Sequence, residues 1–483
     1  MTTFLGNDSV LKKALHFSLP YLLSYFLQTL YGMADLLIIG RFDGVAATTA
    51  VSIGSQVMHM STVMLVGLAM GVTVGIGHAV GAGEQRRAGA VIGSGTVLFL
   101  ALSVVLAAGL CGLVEPITAL MSTPAEAVTG MQDYLTICFI GIPCITAYNV
   151  IAAIFRGLGD SKSPMYFIAV ACAANIVLDL IFMGPMHLGP AGAALGTTLA
   201  QAISVAVSLI AIVRRGLGEV RLQKSDFRPR WAAISRILRV GVPVALQDGL
   251  IQISFLIITV IANRRGLTDA AAVGVVEKFI SFVFLVPSSM LSTISALGAQ
   301  EVGAGRHDRA AATLRYGITL TLGFGAVVGV LIQFLAPNVV SLFTADAAVI
   351  AAGAWYLRGY IWDCFFAGVH FSFSGYFCAY GRSELSFIHN ILSIVLVRVP
   401  GAYFMSKWFP DTLLPMGLAT ACGSVLSVVV CLIMYTTLKK KGLFGGGNPV
   451  MGGCGKPAGG IYAAPTGQPG DRLPVGRGDP TPP

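Results

Sequence analysis

The chain has 483 residues, of which 55% are apolar and only 11% charged. A soluble domain carries about a quarter charged residues, so this chain cannot dress itself in a hydrated surface and is read as an integral membrane protein. The formal net charge of +9 would suit nucleic acid, but the basic residues sit in short segments between apolar runs and form no patch, so no nucleic-acid partner is expected.

Apolar runs of about 20 residues suffice to span a bilayer as helices. Twelve are predicted, the first six near 14–38, 46–78, 89–113, 131–155, 163–184 and 190–213, and the second six near 234–262, 270–299, 311–335, 351–378, 385–406 and 413–438. Lys12 and Lys13 precede a first run of full spanning length that contains Pro20 and Asp35, so it is read as a retained span and not a cleaved signal peptide. Between runs two and three lies Val80-Gly81-Ala82-Gly83, and between runs eight and nine Val302-Gly303-Ala304-Gly305, displaced by 222 residues. The same displacement carries Tyr134-Leu135 onto Tyr356-Leu357 and Gly159 onto Gly381. Duplicated helix bundles flanking a shared cavity are a common build for secondary transporters, so the repeat points to transport.

With the N-terminus inside, the cytoplasmic segments hold 21 basic residues and the opposite loops only Arg41, Arg264, Arg265 and Lys407. That asymmetry places both termini in the cytoplasm. The predicted organisation is an N-terminal six-helix lobe over 1–213, a cytoplasmic linker over 214–233, a C-terminal six-helix lobe over 234–440, and a Gly/Pro-rich tail over 441–483 that is expected to be disordered. In that tail, Gly455-Lys456 is followed by Pro457 where a phosphate loop needs Ser or Thr, and Arg477-Gly478-Asp479 is read as chance.

Eight of nine cysteines fall within spans, and none forms a Cys-x-x-Cys pair, so neither a disulfide framework nor a zinc site is indicated. Seven scattered histidines show no metal spacing and are read as satisfied polar or loop residues. Met58, Met60, Met64 and Met70, with Phe279, Phe282, Phe284, Phe371 and Phe373, are candidates for an adaptable apolar cavity or for plain packing.

Leaving aside Asp133 at the very start of span four, five acids lie within spans: Asp35, Asp179, Asp248, Glu277 and Asp363. A carboxylate at the centre of a membrane helix costs about 3 kcal/mol on insertion scales, so it must face a cavity, pair, or take up a proton. Asn175 precedes Asp179 by four residues, which puts both on one helical face. Asn149 in span four and Thr197 and Thr198 in span six add further oxygens. Such a set either relays a proton or coordinates a hard cation, and the sequence leaves both open.

The duplicated twelve-span plan, Met33-Ala34-Asp35-Leu36-Leu37-Ile38-Ile39-Gly40-Arg41, the two Gly-Ala-Gly loops and Phe155-Arg156-Gly157-Leu158-Gly159-Asp160-Ser161-Lys162-Ser163-Pro164 resemble the multidrug and toxic compound extrusion (MATE) family over about 12–440. The resemblance implies an all-α fold of two pseudo-symmetric six-helix bundles and a cation or proton coupling site built from Asp35, Asn149, Asn175, Asp179 and Thr197. It also implies a bend of the first helix at Pro20. Members with a second site in the C-terminal lobe use a Glu in span seven and an Asp in span ten. This chain departs from that pattern, offering Asp248 and Gln252 in span seven with Glu277 and Asp363 elsewhere.

The function expected is a secondary antiporter that exports amphiphilic, often cationic, organic molecules in exchange for H+ or Na+. It would act without a cofactor, as a monomer among membrane lipids, in a bacterial inner membrane. The rival reading is a flippase for lipid-linked or other large polar substrates, which a cavity rich in Arg and Lys would favour; away from the cytoplasmic ends of the spans only Lys278, Arg358 and Arg398 occur. An intramembrane enzyme or a sensor is disfavoured, because no nucleophile and base, metal motif or signalling domain is recognisable.

Overall fold

The computed structural model describes residues 9–444. Inside a bilayer every backbone N–H and C=O must be satisfied within the segment, and the apolar runs accordingly form helices. The first half contains α1 (Val10–Phe42), α2 (Val45–Gly81), α3 (Gln85–Cys111), α4 (Val114–Leu120), α5 (Ala125–Ile140), α6 (Ile142–Gly157), α7 (Lys162–Met183) and α8 (Gly189–Arg215). The second contains α9 (Trp231–Asn263), α10 (Leu267–Val283), α11 (Leu285–Gly303), α12 (His307–Ser341), α13 (Ala347–Ala379), α14 (Ser383–Ser393), α15 (Val399–Trp408) and α16 (Leu414–Lys440). A π turn over Ile394–Arg398 joins α14 to α15. No sheet occurs among the described residues.

Ten helices, counting α10 with α11 and α14 with α15 as one each, are long and apolar enough to cross a membrane, and α5 with α6, bent by 49° at Gly141, makes an eleventh. The twelfth by position is α13, 33 residues long, whose apolar character is diluted by Arg358, Asp363, His370, Ser372 and Ser374. These are the twelve predicted spans. Sequence alone missed the short α4 and the breaks at Gly141, Phe284 and the π turn, because a break of one residue hardly disturbs an apolar run.

The repeat is visible atom by atom. Gly83 and Gly305 have φ of 73° and 71°, and Gly159 and Gly381 have 89° and 68°, the left-handed backbone that closes a helix C-terminus at little cost only in glycine. Gly83 N–H donates to Val80 O as Gly305 N–H donates to Val302 O, both at 3.0 Å. Asp160 N–H donates to Phe155 O at 2.8 Å and Arg382 N–H to Phe377 O at 2.9 Å. The repeated pair Tyr134-Leu135 and Tyr356-Leu357 is buried in both halves.

Each half has its own apolar core. Val72, Ile76, Phe99, Ile151 and Phe167 anchor one part of the N-terminal core and Ile39, Val51, Leu135 and Phe139 another; Ile258, Val276, Leu357 and Ile361 anchor the C-terminal one. Met58 is packed in the N-terminal core and Phe373 in a further apolar cluster of the C-terminal half. Among the described residues eight cysteines are free thiols, five of them buried within helices.

The halves meet along α2. Bare glycines let the backbones touch: a Cβ on Gly71 would run into the Ile237 carbonyl, and one on Gly241 into that of Leu68. Further along, Gly81 packs on the carbonyl of Gln300 and Gly303 on that of His78. Because 78 and 300, and 81 and 303, are each 222 apart, a pseudo-twofold axis runs between the ends of α2 and α11. The linker does not hang free. Leu217 and Val220 enter the N-terminal core, and Asp226 lies against Gly89 and Gly93 of α3. At the other end, Phe444 stacks among Tyr376, Phe377, Tyr380 and Tyr435; the rest of the predicted tail, 445–483, lies outside the described residues.

Candidate functional site

Asp35 comes from the C-terminal third of α1, Asn175 and Asp179 from one face of α7, and Thr197 from α8; all but Thr197 are buried. Thr197 Oγ1 donates to Asp35 Oδ2 at 3.1 Å, and Asn175 Nδ2 reaches Thr197 Oγ1 at 3.5 Å. The carboxyl groups of Asp35 and Asp179 and the side chain of Asn175 are close neighbours.

The arrangement is short of donors. Asp35 Oδ1, Asn175 Oδ1 and both oxygens of Asp179 are buried with no partner. Buried polar atoms are nearly always hydrogen-bonded, and two unpaired carboxylates in a low-dielectric bundle repel each other. Four converging acceptors are completed by a proton shared between the carboxyls, or by a hard cation that takes oxygen ligands. The residues fit either. No cluster of three or more His, Cys, Asp or Glu suited to a transition metal occurs among the described residues.

Asn149, the fifth candidate, is buried on α6 but gives its amide N–H to Ile145 O at 2.8 Å in its own helix, and no hydrogen bond joins it to the cluster. A residue the sequence reading passed over does belong. A Cβ on Gly196 would run into Asp179 Oδ1, so the carboxylate rests against bare backbone of α8. A second layer follows: Gln201 donates to Tyr31 OH at 3.4 Å, one turn along from Thr197 and Asp35, and Thr198 packs on Gly141 at the bend between α5 and α6.

Pro20, where the family resemblance implies a helix bend, lies inside α1. α1 runs unbroken from Val10 to Phe42, and Ser24 Oγ donates to the Pro20 carbonyl at 2.8 Å. Pro20 itself is buried beside Tyr21, which stacks under the Arg156 guanidinium at 4.1 Å.

The C-terminal candidates do not converge in the same way. Asp248 faces Gly67 where α9 crosses α2, and Gln252 Nε2 lies 3.5 Å from His59 across the same crossing. Glu277 accepts from Thr259 at 3.2 Å. Asp363 is fully buried and ion-paired with Arg398 at 3.2 Å. Of the two other basic residues in spans, Arg358 donates to the Gln333 carbonyl at 3.1 Å and Lys278 is exposed. These three basic residues form no cluster with one another among the described residues.

The sequence profile of the MatE family matches the chain twice, over residues 20–181 and 243–404, which is the internal repeat seen from outside. The probable multidrug resistance protein YpnP of Bacillus subtilis is 27% identical over 412 residues, covering 85% of this chain and 92% of that protein. The probable multidrug resistance protein NorM of Thermotoga maritima is 26% identical over 433 residues, covering 89% and 91%. Among solved structures, an outward-facing MATE transporter superposes with a TM-score of 0.84 at 22% identity, covering 91% of this chain and all of that one. The profile match over most of both halves, on a duplicated twelve-span fold, means that the chain belongs to the MATE family of multi-pass membrane transporters that extrude multiple drugs.

Proposed function

We propose that the chain is a multidrug antiporter in which Asp35 and Asp179, with Asn175 and Thr197, hold the coupling H+ or Na+ while an amphiphilic, often cationic, organic molecule leaves through a cleft between the two lobes. The observation that carries this reading is the donor deficit: four buried oxygens on three residues converge with nothing to bind. Asn149 belongs in this reading as a neighbour that can turn toward the ion when α6 moves. Asp248 and Gln252 at the lobe crossing are better placed to meet substrate than to hold an ion. The flippase reading is not favoured, since Arg398 is neutralised by Asp363.

The lobe boundaries at 213 and 234 suit this mechanism, each lobe having its own core. Both termini lie in the cytoplasm on the charge asymmetry, and bacterial relatives argue for the plasma membrane. The Gly-Ala-Gly loops are then cytoplasmic, and the glycine contacts beside them close the cytoplasmic side in this conformation. One chain carries the whole site, so a monomer suffices.

Efflux of a fluorescent organic cation from cells, with a proton or sodium gradient imposed separately, tests the reading. Asp179→Asn keeps the shape of the side chain and removes its charge, so the protein should fold, still bind substrate, and lose ion-driven efflux. Normal ion-driven efflux in both Asp35→Asn and Asp179→Asn would refute the site.

A further inference from the structure

The C-terminal lobe contains a second buried polar system. Arg398, delivered by the π turn, a feature found mostly at functional sites, donates through Nη2 to Tyr360 OH at 3.0 Å and to Asp363 Oδ2 at 3.2 Å. Ser424 Oγ of α16 donates to the other oxygen, Asp363 Oδ1. A hydroxyl has one proton to give. Ser424 must therefore accept from His370 Nε2, 3.2 Å away, which fixes His370 as the Nε2–H tautomer. The consequence is a bare Nδ1: it is buried, has no partner, and belongs to a ring only 4% exposed.

His389, whose ring lies 5.5 Å from that of His370, behaves differently. Ser427 gives its proton to the His389 carbonyl at 3.2 Å and so accepts from His389 Nδ1 at 3.3 Å. His389 Nε2 is left to accept from Ser374 Oγ at 2.9 Å. Both nitrogens of His389 are claimed, and one nitrogen of His370 is not.

Two further orphans lie beyond the ion pair. Arg398 Nε and Glu277 Oε1 are both buried without a partner; the Arg398 guanidinium lies over the Phe255 ring at 5.0 Å, one turn of α9 from Thr259, which donates to Glu277 of α10. The charged and titratable groups around His370 are thus Asp363 on its own helix, His389 on α14, Arg398 at the π turn and, past it, Glu277. At this level α16 brings Ser424, and α11 and α12 meet α13 through Ile294 and Thr321, which carry no charge.

We propose that His370 is a proton-binding site of the C-terminal lobe, and that a proton taken there is relayed to Asp363 and transfers Arg398 from Asp363 to Glu277. In the relay an N–H bond forms at His370 Nδ1 with a proton from water. The Nε2–H bond breaks as its proton passes to Ser424 Oγ, whose own proton passes to Asp363 Oδ1. The ring ends neutral in the other tautomer, Ser424 is unchanged, and Asp363 becomes a neutral acid. Arg398, having lost its counter-ion, takes the remaining carboxylate. In the closed conformation an N–H at Nδ1 would meet no acceptor, so the proton enters when the lobe opens to water. The swap shifts an ionic contact from α13 to α10, the half-helix beyond the break at Phe284, and so lets protons move this lobe apart from the N-terminal site. This extends the antiporter reading without using its coupling residues.

The test is proton uptake by the full chain in lipid nanodiscs on acidification in weak buffer, read with a pH dye. It is made in an Asp35→Asn, Asp179→Asn background so that the N-terminal carboxyls play no part. His370→Gln, which can still donate to Ser424, should take up about one proton fewer per chain than its parent, and His389→Gln should match the parent. Equal uptake by His370→Gln and its parent would overturn the proposal. If His370→Gln does not fold, infrared difference spectra of the Asp35→Asn, Asp179→Asn protein decide the matter: a protonated-carboxyl band that grows on acidification and is lost in Asp363→Asn supports the relay, and no such band overturns it.

Discussion

His78 Nε2 lies 2.7 Å from the carbonyl oxygen of Ala379, a bond from the last turn of α2 in one lobe to the last residue of α13 in the other. Its counterpart 222 residues on is Gln300 Nε2, which donates to Gly157 O at 2.8 Å. Each lobe thereby satisfies a helix-terminal carbonyl of its partner that has no donor within its own helix. Both bonds must break for the lobes to part on the side of the Gly-Ala-Gly loops.

His78→Leu and Gln300→Leu should each weaken the closed state by about 1 kcal/mol, roughly a fivefold change in the ratio of closed to open protein. The two should have similar effects because the bonds are related by the pseudo-twofold axis. Spin-label distances between residues 82 and 304 report the change. An unaltered distance distribution in the double variant would remove the latch from the mechanism.

Gly196→Ala adds one methyl group where Asp179 Oδ1 now rests. The carboxylate cannot be pushed away without leaving Asp35 and Asn175, so ion-coupled efflux should fall well below normal although no charge is altered. The cost in stability should be that of a modest overpacking, about 1–3 kcal/mol. Thermal unfolding and gradient-driven efflux measured side by side separate the two effects; full coupling in a destabilised protein would show that Asp179 has room to spare.

Much of this was legible in the sequence. The 222-residue displacement gave the two lobes and the twelve spans, since hydropathy and repeats survive one-residue interruptions. Asp35, Asn175, Asp179 and Thr197 could be singled out because charge and amide are rare within spans. Gly196 could not, because its contribution is the absence of a side chain, and a search for oxygens passes over it. His78 reads from the sequence as a satisfied polar residue, and its contact with Ala379 O agrees; laying one half on the other sets it against Gln300 and suggests the shared role. Arg398 and Asp363 are 35 residues apart, and only the packing of the π turn against α13 shows that they neutralise each other.

The charge asymmetry yields a topology that can be read directly. Cysteines placed near Glu126 or Asp346 should react with an impermeant thiol reagent in intact cells, and cysteines near Gln85 or Asp308 only after permeabilisation. The reverse pattern would invert the protein and make the conformation described here closed to the outside.

The crossing of α2 and α9 depends on small residues at a four-residue spacing. Gly67 and Gly71 face Ala245 and Ile237, with Gly241 set against Leu68 between them. Such close backbone contact is how membrane helices pack without a hydrophobic driving force. Gly71→Leu would place a branched side chain where α9 backbone now lies, and no rotamer relieves a clash that begins at Cβ. The closed arrangement, in which α2 and α9 touch in this way, should lose more than an opened one. The expected outcome is a folded protein with the 82-to-304 distance shifted toward the longer population and slower efflux. Gly323→Leu is the matched control, because a Cβ at Gly323 meets nothing within 4 Å and the residue is exposed on α12. If Gly71→Leu and Gly323→Leu give the same distances and the same efflux, the crossing tolerates bulk and the lobes pivot elsewhere.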